Sequence, residues 1–450
     1  MTQIDLDRQT KPAILLLGNY RPALAMSRAL HESGYSVILG LEGEELGAEC
    51  SRFVTEIWDH PSIEGGSLNF LSALEALFLQ RPRIVAVVPV SEEFMLFLEP
   101  IQDEISRMVA FASPSSEIIR LFSNKLKALK FAGENGVPTL PYACVTSYDQ
   151  LGQESERIGF PVVLRPFGAN ARILDKKALI YNSPLELQSA LPAWPEGHGK
   201  ILIQRFASGH RHNLYFAAYK GKMIGSLQTR IRLTNSPDGT GLAVDGVTVA
   251  TDLVVLESTK TLIRLTNYTG VGLSQFIIDP VNKDICFLEL NPRISGSHAV
   301  PELTGLPLTQ LAVEMAIARH TKREPILPDP VPVTTPGLRY VWTSGEILAA
   351  KQAFVSGDTG ARQTAHRIFT AVWAAMRADI HMIGIWRDPL PALLALFTII
   401  PGFRLSRAKL KNFFISRRLV ETNISPKNSP DPGNIFFKSK TISSSRGELT

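Results

Sequence analysis

The sequence predicts an α/β chain that passes into an α+β middle region. Three observations carry this: apolar runs alternate with helical periodicity near the N-terminus, two hairpin signals follow, and a cluster of prolines sets off a helical C-terminal stretch. Ala13 to Leu17 is an apolar run closed by Gly18-Asn19, and Pro22 to Glu32 follows with helical spacing. Val37 to Leu39, Phe53 to Trp58 and Ile84 to Val90 repeat the strand theme, with a helix expected from Ser67 to Gln80. Strands alternating with helices imply a parallel sheet covered on both faces. The turn after the first strand holds one glycine, so the G-x-G-x-x-G fingerprint is absent, which argues against a nicotinamide dehydrogenase.

A second unit begins near Ser123-Asn-Lys125. A helix is expected from Asn124 to Asn135, ended by Gly136 before Val137-Pro138 restarts the chain in extended form. Gly159 to Pro166 and Ile201 to Phe206 read as strands around a helix from Pro184 to Leu191. Arg165 sits in an apolar run just before Pro166. A buried guanidinium there calls for an anion, and phosphate suits its planar fork; the other reading is a solvated charge. Leu214 to Tyr219 and Met223 to Leu227 flank Lys220-Gly-Lys222 as a hairpin. Arg230 and Arg232 then read as solvated strand charges, and Ser236 to Gly241 as a loop able to close over a substrate. A helix from Leu253 to Tyr268 leads to the second hairpin.

That hairpin is the most informative stretch. Val271 to Ile278 and Phe287 to Arg293 read as strands joined by the turn residues Asp279-Pro-Val-Asn-Lys-Asp284. Residues i and i+2 of a strand share a face, so Glu289 and Asn291 stand side by side while Leu288 and Leu290 point into a core. Folding about Asn282 sets Gln275 opposite Glu289, at the ~5 Å spacing of a cross-strand pair. Three oxygen-bearing side chains on one face suit hard Mg²⁺, which takes one or two carboxylates together with nucleotide phosphates. Arg293 follows directly after Pro292.

The run Glu289-Leu-Asn-Pro-Arg293, followed by Gly296-Ser-His298, Gly305 and a helix from Pro307, resembles the last core motif of the ATP-grasp ligases. The Gln275, Glu289, Asn291 combination is most similar to the carbamoyl-phosphate-synthetase-like branch. The resemblance implies an N-terminal Rossmann-like pre-ATP-grasp domain over 1–122 and a two-lobed ATP-grasp domain over 123–320. A proline-rich linker and helical extension would follow over 321–424, then a disordered tail over 425–450. It further implies Mg²⁺ or Mn²⁺ on Gln275, Glu289 and Asn291, with Lys125 and Arg165 on the phosphates of ATP and Arg293 beside the transferred phosphoryl group. Adenine would be held by Gln204 and the Arg205-Phe206-Ala207 linker, and His212 stands at the ribose position. The implied reaction turns a small-molecule carboxylate into an acyl phosphate for attack by an amine or similar nucleophile. Pro89-Val-Ser-Glu-Glu93 is then either a substrate-binding edge or a pair of glutamates suited to a helix N-terminus.

The chain departs from the pattern in three places. Phe167-Gly-Ala-Asn-Ala-Arg172 has one glycine where the family has a glycine-rich loop, and Arg205 and His212 stand where it has glutamates. Those departures keep a second reading open, a non-catalytic descendant that binds nucleotide or a partner.

Composition fits a globular protein of two or three domains, with 45% hydrophobic and 20% charged residues. Cys50, Cys144 and Cys286 lie far apart and form neither a disulfide framework nor a C-x-x-C motif; with a polar, acidic N-terminus they point to the cytoplasm. From Gly360 to Thr450 there are 14 Lys and Arg against 5 Asp and Glu, which concentrates the net +5 in the tail and leaves the body mildly acidic. Nothing in the body suggests a nucleic-acid footprint. Pro389 to Pro401 is apolar but too short to span a bilayer. With Arg404, Arg407, Lys409, Lys411, Arg417 and Arg418 after it, it suits either an anionic membrane surface or a short helix packed on the body. A homodimer is compatible with the resemblance.

Overall fold

The structure, a computed structural model, describes residues 11–42, 47–167, 172–174, 176, 178–236, 239, 241–328 and 335–397, and the backbone of 418–420. The tail expected to be disordered, most of the sparse-glycine loop and the basic residues 404–417 lie outside the described residues, as do 237–238 and 240 of the Ser236 to Gly241 loop.

The N-terminal sheet is parallel, and every residue of Ala13–Leu17 is buried, which is why that run reads as continuously apolar rather than alternating. Its spatial order is 418–420, Glu56–Asp59, Ser36–Leu41, Ala13–Leu17, Ile84–Pro89, Ala110–Phe111. The direction of the strand order therefore reverses between Ala13–Leu17 and Ile84–Pro89. At the carboxyl ends of those two strands sit Tyr20-Arg21 and Ser91-Glu92, the place where open α/β sheets hold ligands. Helix Arg21–Glu32 starts with proline in its first turn and buries its apolar face on the sheet. Helix Ser67–Gln80 covers the other side.

The central sheet has seven strands in the order Ile285–Asn291, Gly270–Ile278, His210–Tyr219, Lys222–Thr234, Ala243–Val249, Arg339–Val341, Ile380–His381, antiparallel except for the last pair. Helices Lys125–Glu134 and Leu253–Leu265 pack on one face around Phe216, Tyr268, Phe276 and Phe287. Helix Leu308–His320 lies between this sheet and the N-terminal one, and is accordingly apolar nearly all round. A smaller antiparallel sheet, Tyr142–Val145, Ile201–Arg205, Val162–Pro166, Leu179–Tyr181, has a core of its own.

The C-terminal region is more than an appendage behind a linker. Arg339–Val341 pairs with Ala243–Val249, and Ile380–His381 extends the sheet by one more strand. Helices Thr343–Val355 and Ala361–Met376 lie against each other, and Leu390–Phe397 packs on the body through Pro391 and Leu394. Asp388 is buried and ties this region back to the first helix: Arg28 donates to its Oδ2 from Nη2 at 3.1 Å and Nε at 3.2 Å. Ser51 Oγ donates to the same oxygen at 2.6 Å, and the Arg52 N–H to Oδ1 at 3.0 Å. Among the described residues no helix is long and apolar enough to cross a membrane.

Candidate active site

The two larger sheets and the small one enclose a cleft of about 2290 Å³. Its floor is the expected hairpin. The turn is set by Asp279, whose side chain accepts from the N–H groups of Val281 and Asn282 at 2.8 and 3.2 Å, and Lys283 takes a positive φ of 64°. The resulting register puts Gln275 opposite Glu289 and Leu273 opposite Asn291. Leu288 and Leu290 are buried, and Asn291 Nδ2 donates to Glu289 Oε1 at 2.9 Å.

Burial on its own would raise the Glu289 carboxyl. The Asn291 amide and the charges of Lys125, Arg165 and Arg293 outweigh it and hold the group below the usual carboxylate range, so Glu289 is an anion facing three cations. Among the described residues no three His, Cys, Asp or Glu side chains are grouped to hold a metal. One carboxylate flanked by amides nevertheless fits Mg²⁺ arriving with nucleotide phosphates, because such an ion needs few protein carboxylates.

Lys125 is the first residue of its helix, whose N-cap Asn124 accepts from the Lys127 N–H at 3.0 Å. Arg165 stands opposite Leu202 in the small sheet, and both cations line the cleft. Arg293 Nη2 donates to Glu92 Oε2 at 2.8 Å and Nη1 to the Ile294 carbonyl at 3.1 Å, while its buried Nε has no partner. Burial lowers this guanidinium, but Glu92 and Tyr20 outweigh it and leave Arg293 above its ordinary value. Glu92 is also the first residue of helix Glu92–Leu98, so the helix-terminus reading and the cleft-edge reading describe one side chain.

Gln204, Arg205, Phe206 and Ala207 line the cleft together. Gln204 is buried with an unpartnered Nε2. The Arg205 N–H donates to Pro141 O at 2.9 Å and the Phe206 N–H to Pro161 O at 2.8 Å, so neither is available to a ligand. The Arg205 side chain donates to the Ile158 carbonyl at 3.1 Å.

His212 does not line the cleft. Strand alternation turns it to the opposite face, where Nδ1 meets Gln228 Nε2 at 3.0 Å and burial lowers its pKa to about 4. Arg211 and Asn213 face the cleft instead, in register with Ile277 and Gln275. Asn213 is 2% exposed with Oδ1 unpartnered, and Arg211 donates from Nη2 to the Gly241 carbonyl at 2.7 Å while its Nε stays unpartnered. The signal for both residues was present in the sequence: Arg211, Asn213 and Tyr215 share a face by period two. Ser295 was also missed; it is 4% exposed and its Oγ has no partner.

Residues 247–323 match the family model for the carbamoyl-phosphate synthase L chain, ATP binding domain. The N5-carboxyaminoimidazole synthetase of Staphylococcus aureus complexed with ADP superposes with a TM-score of 0.56 at 14% identity, over 76% of this chain and 85% of that one. This is an ATP-grasp fold. Biotin carboxylase from Campylobacter jejuni shares that fold with a TM-score of 0.53 at 18% identity, over 69% of this chain and 71% of that one. Pyruvate carboxylase of Bacillus subtilis is 21% identical over 231 residues, or 48% of this chain, and the chain spans 20% of that protein's length. Within the ATP-grasp fold the matched segment includes the Gln275, Glu289, Asn291 face and Arg293.

Proposed function

We propose that the chain is an ATP-dependent ligase that activates a carboxylate as an acyl phosphate for attack by an amine or similar nucleophile. The observation that carries this reading is the Glu289 carboxylate, hydrogen-bonded to Asn291, opposite Gln275 and held ionised by three cations in one cleft. Gln275, Glu289 and Asn291 would hold Mg²⁺, with Mn²⁺ as a substitute, and the ion would supply charge neutralisation at the phosphates. Lys125 and Arg165 bind the nucleotide's phosphates. Gln204, with the 205–207 linker, holds the base. Arg293, kept in place by Glu92, stabilises charge on the transferred phosphoryl group as the acid's carboxylate oxygen attacks it. The ribose position assigned to His212 passes to the cleft-facing Arg211 and Asn213. We further assign the chain to the cytoplasm as a homodimer. The biotin carboxylase domain of Hydrogenobacter thermophilus crystallised as a dimer.

Calorimetry with a non-hydrolysable ATP analogue tests the site without knowledge of the acid. Micromolar, Mg²⁺-dependent binding is expected. Absence of binding at millimolar nucleotide, with or without Mg²⁺, refutes the ligase reading.

A further inference from the structure

We propose that Arg21 is an oxyanion seat, so that one of the two substrates carries a carboxylate or phosphate group apart from the carboxyl group that is activated. The inference rests on the cleft being the active site, and it adds a recognition element from the N-terminal domain.

Arg21 stands at the carboxyl end of Ala13–Leu17, at the point where the strand order reverses. Its guanidinium lies 3.4 Å from the centroid of the Trp342 ring, and Nη1 reaches Met382 Sδ at 3.6 Å. Among the described residues it forms no ion pair. The carboxylates of Glu92 and Asp388 are paired with other cations, Arg293 and Arg28. Arg21 is half-buried on the cleft wall, and its partial removal from water lowers it to about 10; the groups that offset this are the hydroxyls of Tyr20 and Tyr215 rather than a carboxylate. Taking a guanidinium out of water without an anion is costly, whereas an oxyanion can meet its planar fork with two parallel N–H donors.

An independent observation marks the same place. Ser295 Oγ is buried without a partner and lines the cleft beside Gly296, and a Cβ placed on Gly296 would lie 3.4 Å from Arg21 Nη2. Tyr215 Oη meets Ser297 Oγ at 2.6 Å and pins this loop from below. An anion on Arg21 would thus lie close to Ser295 and to the loop that begins at Arg293. The flat indole beneath fixes the plane of the guanidinium and so the approach of its ligand.

The test uses inorganic phosphate, succinate and acetate as probes on the full-length protein, read by tryptophan fluorescence and repeated on Trp342→Phe to assign the signal. Saturable binding of phosphate or succinate is expected, weakened at least tenfold in Arg21→Gln and partly kept in Arg21→Lys. Which of the two probes binds more tightly decides between a phosphate and a carboxylate group. Nucleotide binding is measured on the same variants and should be unchanged, which shows that they are folded. If wild type binds no probe, or Arg21→Gln binds as wild type does, the seat is refuted. Loss of nucleotide binding in wild type would instead refute the ligase reading and leave the anion measurement to stand by itself.

Discussion

Substituting Asp388 should loosen the cleft from a distance. This carboxylate is 1% exposed and accepts four hydrogen bonds, two from Arg28 and one each from Ser51 Oγ and the Arg52 N–H. Asp388→Ala would leave the Arg28 guanidinium buried with two backbone carbonyls as its acceptors and no anion, Ile383 at 2.7 Å and residue 388 itself at 3.5 Å. Breaking such a pair from one side costs about 3–5 kcal/mol. At roughly 2–4 °C per kcal/mol for a unit of this size, the melting temperature should fall by about 6–20 °C. Arg28 shares its helix with Arg21, and Met382 and Trp342 belong to the segment that Asp388 secures, so anion binding should weaken along with stability. Circular dichroism melts of wild type, Asp388→Ala and the double variant Arg28→Met/Asp388→Leu provide the assay. The double variant should recover most of the loss, because it removes both charges together. An Asp388→Ala protein melting within about 2 °C of wild type would refute the reasoning.

Further outcomes follow from the site. Glu289→Ala should lower substrate-dependent ADP release by about 10²-fold or more, on the scale of removing one preorganised electrostatic contact; turnover equal to wild type would sink the metal assignment. Glu92→Gln removes the charge that anchors Arg293 and should lower the catalytic rate while leaving nucleotide affinity unchanged, read by steady-state kinetics and calorimetry. His212 has a folded pKa of about 4 against an ordinary value of 6.5, so the unfolded chain binds its proton first. Its contribution to stability is complete above pH 6.5 and is lost as the pH falls towards 4, and His212→Gln should flatten that part of the melting-temperature profile. Burial raises the Cys286 thiol to about 11, so iodoacetamide at pH 8 should alkylate Cys144, which is partly exposed, well before Cys286, as peptide mass mapping can show.

The hairpin of Gln275, Glu289 and Asn291 was legible because two local rules agreed: period-two alternation assigned Leu288 and Leu290 to the core, and the Asp279 turn fixed the register that brings Gln275 to Glu289. His212 was misplaced because its position was taken from spacing within a family pattern, whereas the strand's own alternation puts Arg211 and Asn213 on the cleft side. Strand Ala243–Val249 gave no clear signal, since Asp245-Gly246 reads as a turn. In the fold Asp245 is paired with Arg339, and Gly246 leaves room for the Tyr340 ring, so both residues serve contacts with a strand about ninety positions later. Arg339–Val341 and Ile380–His381 are too short for any periodicity to show. Arg21 went unremarked because its meaning depends on what is missing around it, and a sequence does not list absent partners.

The late strands bear on how the molecule can be made and divided. A ribosome must release residues 339–341 and 380–381 before the central sheet gains its last two strands, so the lobe that floors the cleft stays open-edged until most of the chain has emerged. A chain cut at residue 320, where the sequence pattern places a domain end, would present Ala243–Val249 as a bare edge to its neighbours. Such a fragment should self-associate through that strand, and a monodisperse fragment that keeps the cleft should need the chain through Asp388.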